Sequence, residues 1–238
     1  MVNYADQSLS KFPGVNPHQA EVLRVDDHMP AVGIQELSPE ALRRRFSNPP
    51  IWEPDALTER KVTGRVITPA SVLIPIVMRA TPTVLLTQRS QHLSSHSGQV
   101  SFPGGKRDQE DADEIAVALR ETQEEIGLDL SFVSVLGCLP NYLTGTAYLV
   151  TPVVALVDVR HSLQVNYDEV AEVFEVPLAF LMNPANHRHH HFEAGGLSRD
   201  WLSIPYQDEV TNRFIWGVTA GILRNLYRFL VASIDKKL

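Results

Sequence analysis

The sequence predicts a mixed α/β sandwich rather than a doubly wound parallel sheet. Three observations carry that expectation. Two strand-like runs follow each other after residue 69, an acid-rich helical stretch occupies 111–126, and further strand-like runs lead into a proline-free helical segment at the end of the chain. The order strand, strand, helix, strands, helix lacks the regular alternation that builds a parallel sheet.

Each element has its own signals. Ser71 to Met78 and Thr83 to Arg89 are β-branched and apolar and flank Arg79-Ala80-Thr81-Pro82, so they read as two strands and a turn. Asp111 to Ile126 reads as a helix, because Asp111-x-x-Glu114 resembles a capping box and Gly127 is the residue type that closes helices. Val133 to Leu139, Tyr148 to Val159 and Val170 to Val176 are strand-like. Asn212 to Ile234 carries apolar residues at helical spacing and is expected to be one long helix, with Phe214 and Trp216 in the core.

Upstream the texture differs. Eight of the 16 prolines fall within residues 1–69, and periodicity is confined to one stretch. There Ser38 suits an N-cap, Pro39 the first helical position, and Pro49-Pro50 a stop. Residues 1–68 are expected to be an extension that lies over a domain surface or links to it, and 69–238 the domain itself. Arg43-Arg44-Arg45 reads as a solvated helix end, where cations suit the dipole, ahead of a phosphate contact.

Composition sets the outer limits. The 238 residues are 44% hydrophobic and 21% charged, enough for a sizeable core. The longest apolar run, Val72 to Met78, is far below the roughly 18 residues of a membrane helix. Met1 to Asp6 has neither the basic start nor the apolar region of a signal peptide. A net charge of −7 repels nucleic acid and anionic membranes, so neither is an expected partner. Cys138, the single cysteine, excludes an intrachain disulfide and a cysteine zinc cage, and its apolar surroundings suggest a core position. The expected compartment is a reducing one, the cytoplasm.

The chemistry lies on the 111–126 helix. At about 100° per residue, Ile115, Ala118, Leu119, Thr122 and Ile126 share the packed face, while Glu121, Glu124 and Glu125 group on another with Arg120 beside Glu124. Like charges at this spacing destabilise a helix by about a few tenths of a kcal/mol. The acids are therefore either fully solvated or held by cations. Carboxylates suit Mg²⁺ or Mn²⁺, ions that neutralise pyrophosphate and activate water. Gly104-Gly105, after Phe102-Pro103, supplies backbone that can approach a ligand or metal closely. His187, His189, His190 and His191 tempt a zinc assignment. Consecutive histidines cannot all point at one ion, and Pro184, Gly195 and Gly196 mark a loop, so a solvated loop is expected.

The series Gly104-Gly105, spacer, Arg120-Glu121-x-x-Glu124-Glu125-x-Gly127-Leu128 resembles the Nudix box of the Nudix hydrolases. The usual pattern has Glu where Asp111 stands, and Arg120 arrives one residue late, so helix capping is the role expected of Asp111. Leu85-Leu86-Thr87-Gln88-Arg89-Ser90, then Gly98 and Phe102-Pro103-Gly104-Gly105, is similar to the motif of the coenzyme A pyrophosphatase branch, although that pattern has a second Arg where Ser94 stands. The resemblance runs over roughly residues 70–230.

It implies a Nudix-fold α/β/α sandwich with a mixed sheet, and hydrolysis of a P–O–P bond by water with Mg²⁺ or Mn²⁺. Glu121 and Glu125 become the metal ligands, with Glu124 a third ligand or a neighbouring acid, and Arg120 orients a glutamate. The Gly105 carbonyl is a further ligand candidate. The general base comes from Glu124 or from a later loop bearing Glu169 and Glu172. Arg89, Ser90, Gly104 and Gly105 become substrate contacts, and His92 and His96 either meet phosphates or serve the loop. The implied substrate is coenzyme A or an acyl-coenzyme A. The alternatives are another nucleoside diphosphate derivative such as ADP-ribose, or a silent binding module, though such modules often lose the acids retained here. A homodimer is the family-level expectation.

Overall fold

The computed structural model describes residues 17–55, 66–91, 98–194, 197–208 and 210–233. In chain order its elements are β1 (Arg24–Val25), α1 (Pro39–Ser47), β2 (Thr68–Val77), β3 (Thr83–Arg89), β4 (Val100–Ser101), β5 (Gly104–Lys106) and α2 (Glu114–Ile126). Then come β6 (Val133–Cys138), β7 (Tyr142–Leu143), β8 (Tyr148–Val157), β9 (Val170–Pro177), α3 (Leu178–Leu181), β10 (Arg188–Ala194), β11 (Leu197–Gln207), β12 (Asn212–Trp216) and α4 (Gly217–Val231).

The mixed α/β sandwich expected from the element order is what forms. The larger sheet runs β4-β3-β2-β8-β6, with β5 also on β2, β7 on β8 and β9 on β3. β2 and β8 are parallel from Thr68↔Tyr148 to Val77↔Val157, whereas β3, β5 and β6 pair antiparallel. Pro75 is tolerated inside β2 for a local reason. The Leu73 N–H points toward Pro103 O, so alternation turns position 75 to the same edge. That edge is paired at 70–72 and at 76–77, leaving a gap where no N–H is required.

α2 packs on one face of the sheet, over Leu73, Val153 and Ala155 through Ala118. The other face sends Ile74, Ile76, Val84, Leu86, Val154 and Leu156 into the main core. There they meet Ile222, Leu223, Leu226 and Tyr227 of α4 and Leu202, Ile204 and Ile215 of the second sheet, β1-β10-β11-β12. Each such side chain contributes about 1.5–3 kcal/mol on burial.

The N-terminal segment shares this core. Ser38 caps α1 by accepting the Ala41 N–H at 3.3 Å, with Pro39 at the first position. Val32, Leu37 and Leu42 are then buried in the main cluster. Arg45 corrects the expectation for the arginine run. It is buried and donates to Leu230 O and Ala232 O, both at 2.7 Å, satisfying carbonyls at the end of α4 that have no helical partner.

Three other expectations are corrected. The 212–234 segment is not one helix: Asn212–Trp216 pairs with β11, and Gly217, at φ +60°, turns the chain into α4. Phe, Ile and Trp over so short a stretch satisfy a strand as well as a helix. Phe214 and Trp216 are only partly buried and pack beside Trp201. Cys138 is exposed rather than in the core, because β6 shifts register between Val135 and Gly137 and the alternation is re-phased beyond it.

The histidines are not a solvated loop either. His189, His190 and His191 lie in β10, paired with β11, and point to different partners: His189 to Asp26, His190 to Ser203 and Glu21 O, His191 to Asp200. Gly195 and Gly196 lie outside the described residues. His187 is fully buried, with Nε2 at 2.8 Å from Leu181 O and Nδ1 at 3.4 Å from Arg224. The Nε2–H tautomer satisfies both contacts, the carbonyl as acceptor and Arg224 as donor.

Burial pushes the His187 pKa down to about 4, and the Arg224 charge adds to it, against the Leu181 carbonyl and Asp26. The unfolded chain therefore takes up this proton first. The stability His187 contributes is complete above about pH 6.5 and is lost as pH falls toward 4, by roughly 3 kcal/mol. Urea unfolding from pH 7 to pH 4 should show that fall, and His187→Gln should flatten it. Parallel acid limbs for the two proteins would contradict the assignment.

Candidate active site

Two glycines bring the site together. β5 lies on β2 with Val72 opposite Gly104 and Ser71 opposite Gly105. Gly104 has φ +153°, and a Cβ there would overlap the Ser71 carbonyl and Val72 Cα. A Cβ on Gly105 would overlap the Glu121 carboxylate. Without side chains, this strand presses on the sheet and on the acidic face of α2 at once.

α2 is closed by Gly127 at φ +62° and opened by Asp113, whose Oδ1 accepts the Ala116 N–H at 2.8 Å. This corrects the capping role expected of Asp111, which stands two positions too early to reach that N–H. Its carboxylate instead accepts Arg120 Nε at 3.0 Å, Arg120 Nη2 at 2.9 Å and the Asp108 N–H at 2.8 Å. The Arg120 contact holds the Asp111 carboxyl below the usual range.

Arg120 is the hub of the outer site. Besides Asp111 it donates to Glu121 Oε1 and Glu124 Oε2, both at 3.0 Å, and to Lys106 O at 3.1 Å. The three glutamates beside it are not equivalent. Side-chain exposure is 56% for Glu124, 17% for Glu121 and 4% for Glu125. Glu125 accepts the Gly104 N–H at 3.1 Å and lies 3.5 Å from Arg89 Nη1. Burial pushes its pKa up to about 7 against those two contacts, and the charges of Glu121 and Glu169 add to the rise. Burial likewise raises Glu121, opposed by Arg120 and reinforced by Glu124 and Glu169.

Of the two downstream acids, Glu169 joins this cluster. It acts on both Glu121 and Glu125, its backbone carbonyl accepts the Ser90 N–H at 2.9 Å, and Asn166 Nδ2 donates to its Oε1 at 3.3 Å. Glu172 is engaged elsewhere, in a two-bond pair with Arg213 at 2.7 and 2.5 Å. Arg89 ends β3, and its buried Nε has no hydrogen-bond partner among the described residues. Ser90 is buried next to it. His92, Ser94 and His96 lie outside the described residues. Sequence reasoning missed Asn166, although Asn-x-Asp ahead of Glu169 is a turn signal.

As placed, no three acid, histidine or cysteine side chains among the described residues converge on one point for an ion. The glutamate oxygens turn toward Arg120, Arg89 and the Gly104 N–H instead. The donor set nevertheless fits a hard divalent cation. It is all oxygen, and burial and mutual repulsion raise Glu121 and Glu125, a cost that a bound cation reverses.

Carboxylates raised by burial and mutual repulsion, with an arginine N–H beside them that has no partner among the described residues, suit an enzyme of phosphate anhydride chemistry. The comparisons with known proteins make the class definite. The NUDIX domain model matches residues 68–195, and the chain belongs to the Nudix family. Over 160 residues it is 47% identical to the uncharacterized Nudix hydrolase NudL of Escherichia coli strain K12, covering 66% of this chain and 80% of the relative. NudL of Shigella boydii serotype 18 matches with the same figures. Among solved structures, an Ap4A hydrolase of C. elegans in a binary complex aligns at 22% identity over 50% of this chain and 86% of that one, with a TM-score of 0.41.

The protein is thus a hydrolase acting on the pyrophosphate bonds of nucleoside diphosphate derivatives. Nudix hydrolases generally use divalent metals, typically Mg²⁺ or Mn²⁺. No helix among the described residues is long and apolar enough to cross a membrane.

Proposed function

We propose that this protein is a Mg²⁺- or Mn²⁺-dependent pyrophosphohydrolase of coenzyme A or acyl-coenzyme A. Its products are 4′-phosphopantetheine, or the acyl form, and adenosine 3′,5′-bisphosphate. The supporting observation is Arg89. It stands in the branch-like motif, ends a core strand beside Glu125, and keeps a buried Nε–H without an acceptor among the described residues. In this reading residues 69–238 form the catalytic domain of a cytoplasmic homodimer, and residues 1–68 are an extension from which Val32, Leu37 and Leu42 enter its core.

Glu121 and Glu125 would hold the metal, with Glu124 as third ligand and the Gly105 carbonyl adjacent; a divalent ion there would supply activation of water and offset of charge on the leaving phosphate. Arg120 keeps Glu121 and Glu124 oriented through its fork of charge-assisted hydrogen bonds. Arg89, with Ser90 and Gly104-Gly105 at the rim, receives the diphosphate. Glu169 accepts the proton of the attacking water. The new P–O bond forms as the bridging P–O bond breaks, and the leaving phosphate takes the bonding pair.

The test incubates the protein with Mg²⁺ or Mn²⁺ and coenzyme A, ADP-ribose, NADH or nucleoside triphosphates, and identifies products by mass. Turnover of ADP-ribose without coenzyme A would overturn the substrate assignment. Arg89→Met should raise KM for coenzyme A about tenfold to a hundredfold, as expected for loss of a hydrogen bond to a charged group. An unchanged KM would remove Arg89 from the substrate site.

A further inference from the structure

Asn166 uses its backbone N–H, backbone carbonyl and both side-chain polar atoms on the short path between α2 and Glu169. Its backbone N–H donates to Glu125 O at 2.9 Å, which ties the loop to the last turn of α2. That carbonyl is one the helix leaves without an internal partner. The Asn166 backbone carbonyl accepts the N–H groups of Glu169 at 3.1 Å and Val170 at 2.9 Å. Its Oδ1 accepts the Asp168 N–H at 3.2 Å, the pattern of an Asx turn. Its Nδ2 donates to Glu169 Oε1 at 3.3 Å.

On the far side the Ser90 N–H holds the Glu169 carbonyl at 2.9 Å, so the backbone of Glu169 is fixed between the acidic helix and the strand that ends in Arg89. Its carboxylate is placed by a side-chain contact instead. The Asn166 amide engages one of its oxygens and leaves Oε2 available to a proton.

We propose that Asn166 is a positioning residue, whose side-chain N–H aims the Glu169 carboxylate at the acid cluster of α2. The inference rests on the assignment of Glu169 as proton acceptor. A purely structural Asn166 would only shape the turn, and its two side-chain atoms separate these roles. Oδ1 makes the turn, and Nδ2 makes the contact with Glu169. Aspartate retains the turn acceptor and lacks the donor.

The experiment measures kcat, KM and thermal midpoint for Asn166→Asp, Asn166→Ser, Glu169→Gln and the Asn166→Asp/Glu169→Gln pair, in the full chain with Mg²⁺ and the substrate turned over fastest in the panel above. Asn166→Asp should keep the wild-type KM and thermal midpoint while kcat falls about tenfold to a hundredfold, the scale of a misaligned catalytic group. In the Glu169→Gln background it should cost nothing further. Should Asn166→Asp fail to fold, Asn166→Ser, whose hydroxyl retains an acceptor but is too short to reach Glu169, is read in the same way.

Wild-type kcat in Asn166→Asp beside an impaired Glu169→Gln overturns the positioning role alone. So does a fall that persists undiminished in the Glu169→Gln background, since it would reflect added charge rather than aim. Wild-type kcat in Glu169→Gln overturns the assignment of the proton acceptor itself.

Discussion

Glu125→Gln is expected to lower kcat/KM by about 10²- to 10³-fold, the scale for removing one preorganised group at a developing charge, and to stabilise the metal-free protein at pH 8. The two effects have one cause. Glu125 is almost fully buried, and burial holds its pKa at about 7, above the ordinary glutamate value of 4.5. Between those values the unfolded chain releases the proton before the folded one does. Stability from this group is therefore complete below about pH 4.5 and lost as pH rises through 7.

At pH 8 the folded protein carries the whole cost, on the order of 3 kcal/mol. Glutamine avoids that cost and can still accept the Gly104 N–H. Added Mg²⁺ should reverse the ranking, because a ligand that binds only the folded state stabilises wild type and not a variant that cannot hold it. Urea unfolding with chelator and then with Mg²⁺, alongside initial rates, checks all three points. A variant that is less stable than wild type in chelator, or as active, would contradict the assignment of Glu125.

The two glycines of β5 should fail in opposite ways. In Gly104→Ala the new Cβ meets the backbone at Ser71 and Val72, and φ is one that side chains rarely adopt. Backbone has nowhere to go in the middle of a sheet. A loss of more than about 3 kcal/mol is expected, as for overpacking combined with backbone strain. In Gly105→Ala the Cβ meets the far end of Glu121 instead, a side chain that can swing away. That change should cost at most about 1 kcal/mol of stability while lowering kcat/KM about a hundredfold, because a displaced carboxylate no longer serves the reaction. Denaturant unfolding and steady-state kinetics on both variants separate the cases. Gly105→Ala with a wild-type rate would place Glu121 outside the chemistry.

Much of this was legible in the chain. Five strands appear at or within a few residues of their expected positions, and α2 ends at Gly127 as expected, since both signals are local. The acids of α2 were visible as a group because helical periodicity fixes which side chains share a face. Their inequality was not visible. Periodicity places Glu124 and Glu125 side by side, yet one is solvated and the other lies under β5.

Misreadings arose where local pattern and distant partner disagreed. Asp111 and Asp113 both precede the helix, and only the reach of Arg120 across nine residues assigns Asp111 to that guanidinium. Arg45 looks like a solvated cation until the end of α4 arrives beneath it. Histidines at 189–191 resemble a polar loop until β11 supplies a ladder and Asp26, Ser203 and Asp200 supply separate partners.

By itself, then, the sequence determined the five main strands and the helix between β2 and β9, the class of sandwich, and that this helix bears Arg120, Glu121, Glu124 and Glu125 behind a pair of glycines, but not the second sheet. These follow from short-range rules of period and turn. The tertiary structure alone decided that Glu125 is buried and raised, that the charge of Glu169 adds to that rise, and that Asn166 is hydrogen-bonded to both. Each of those depends on desolvation and on charges brought together from distant parts of the chain, and neither is a property of neighbours in sequence.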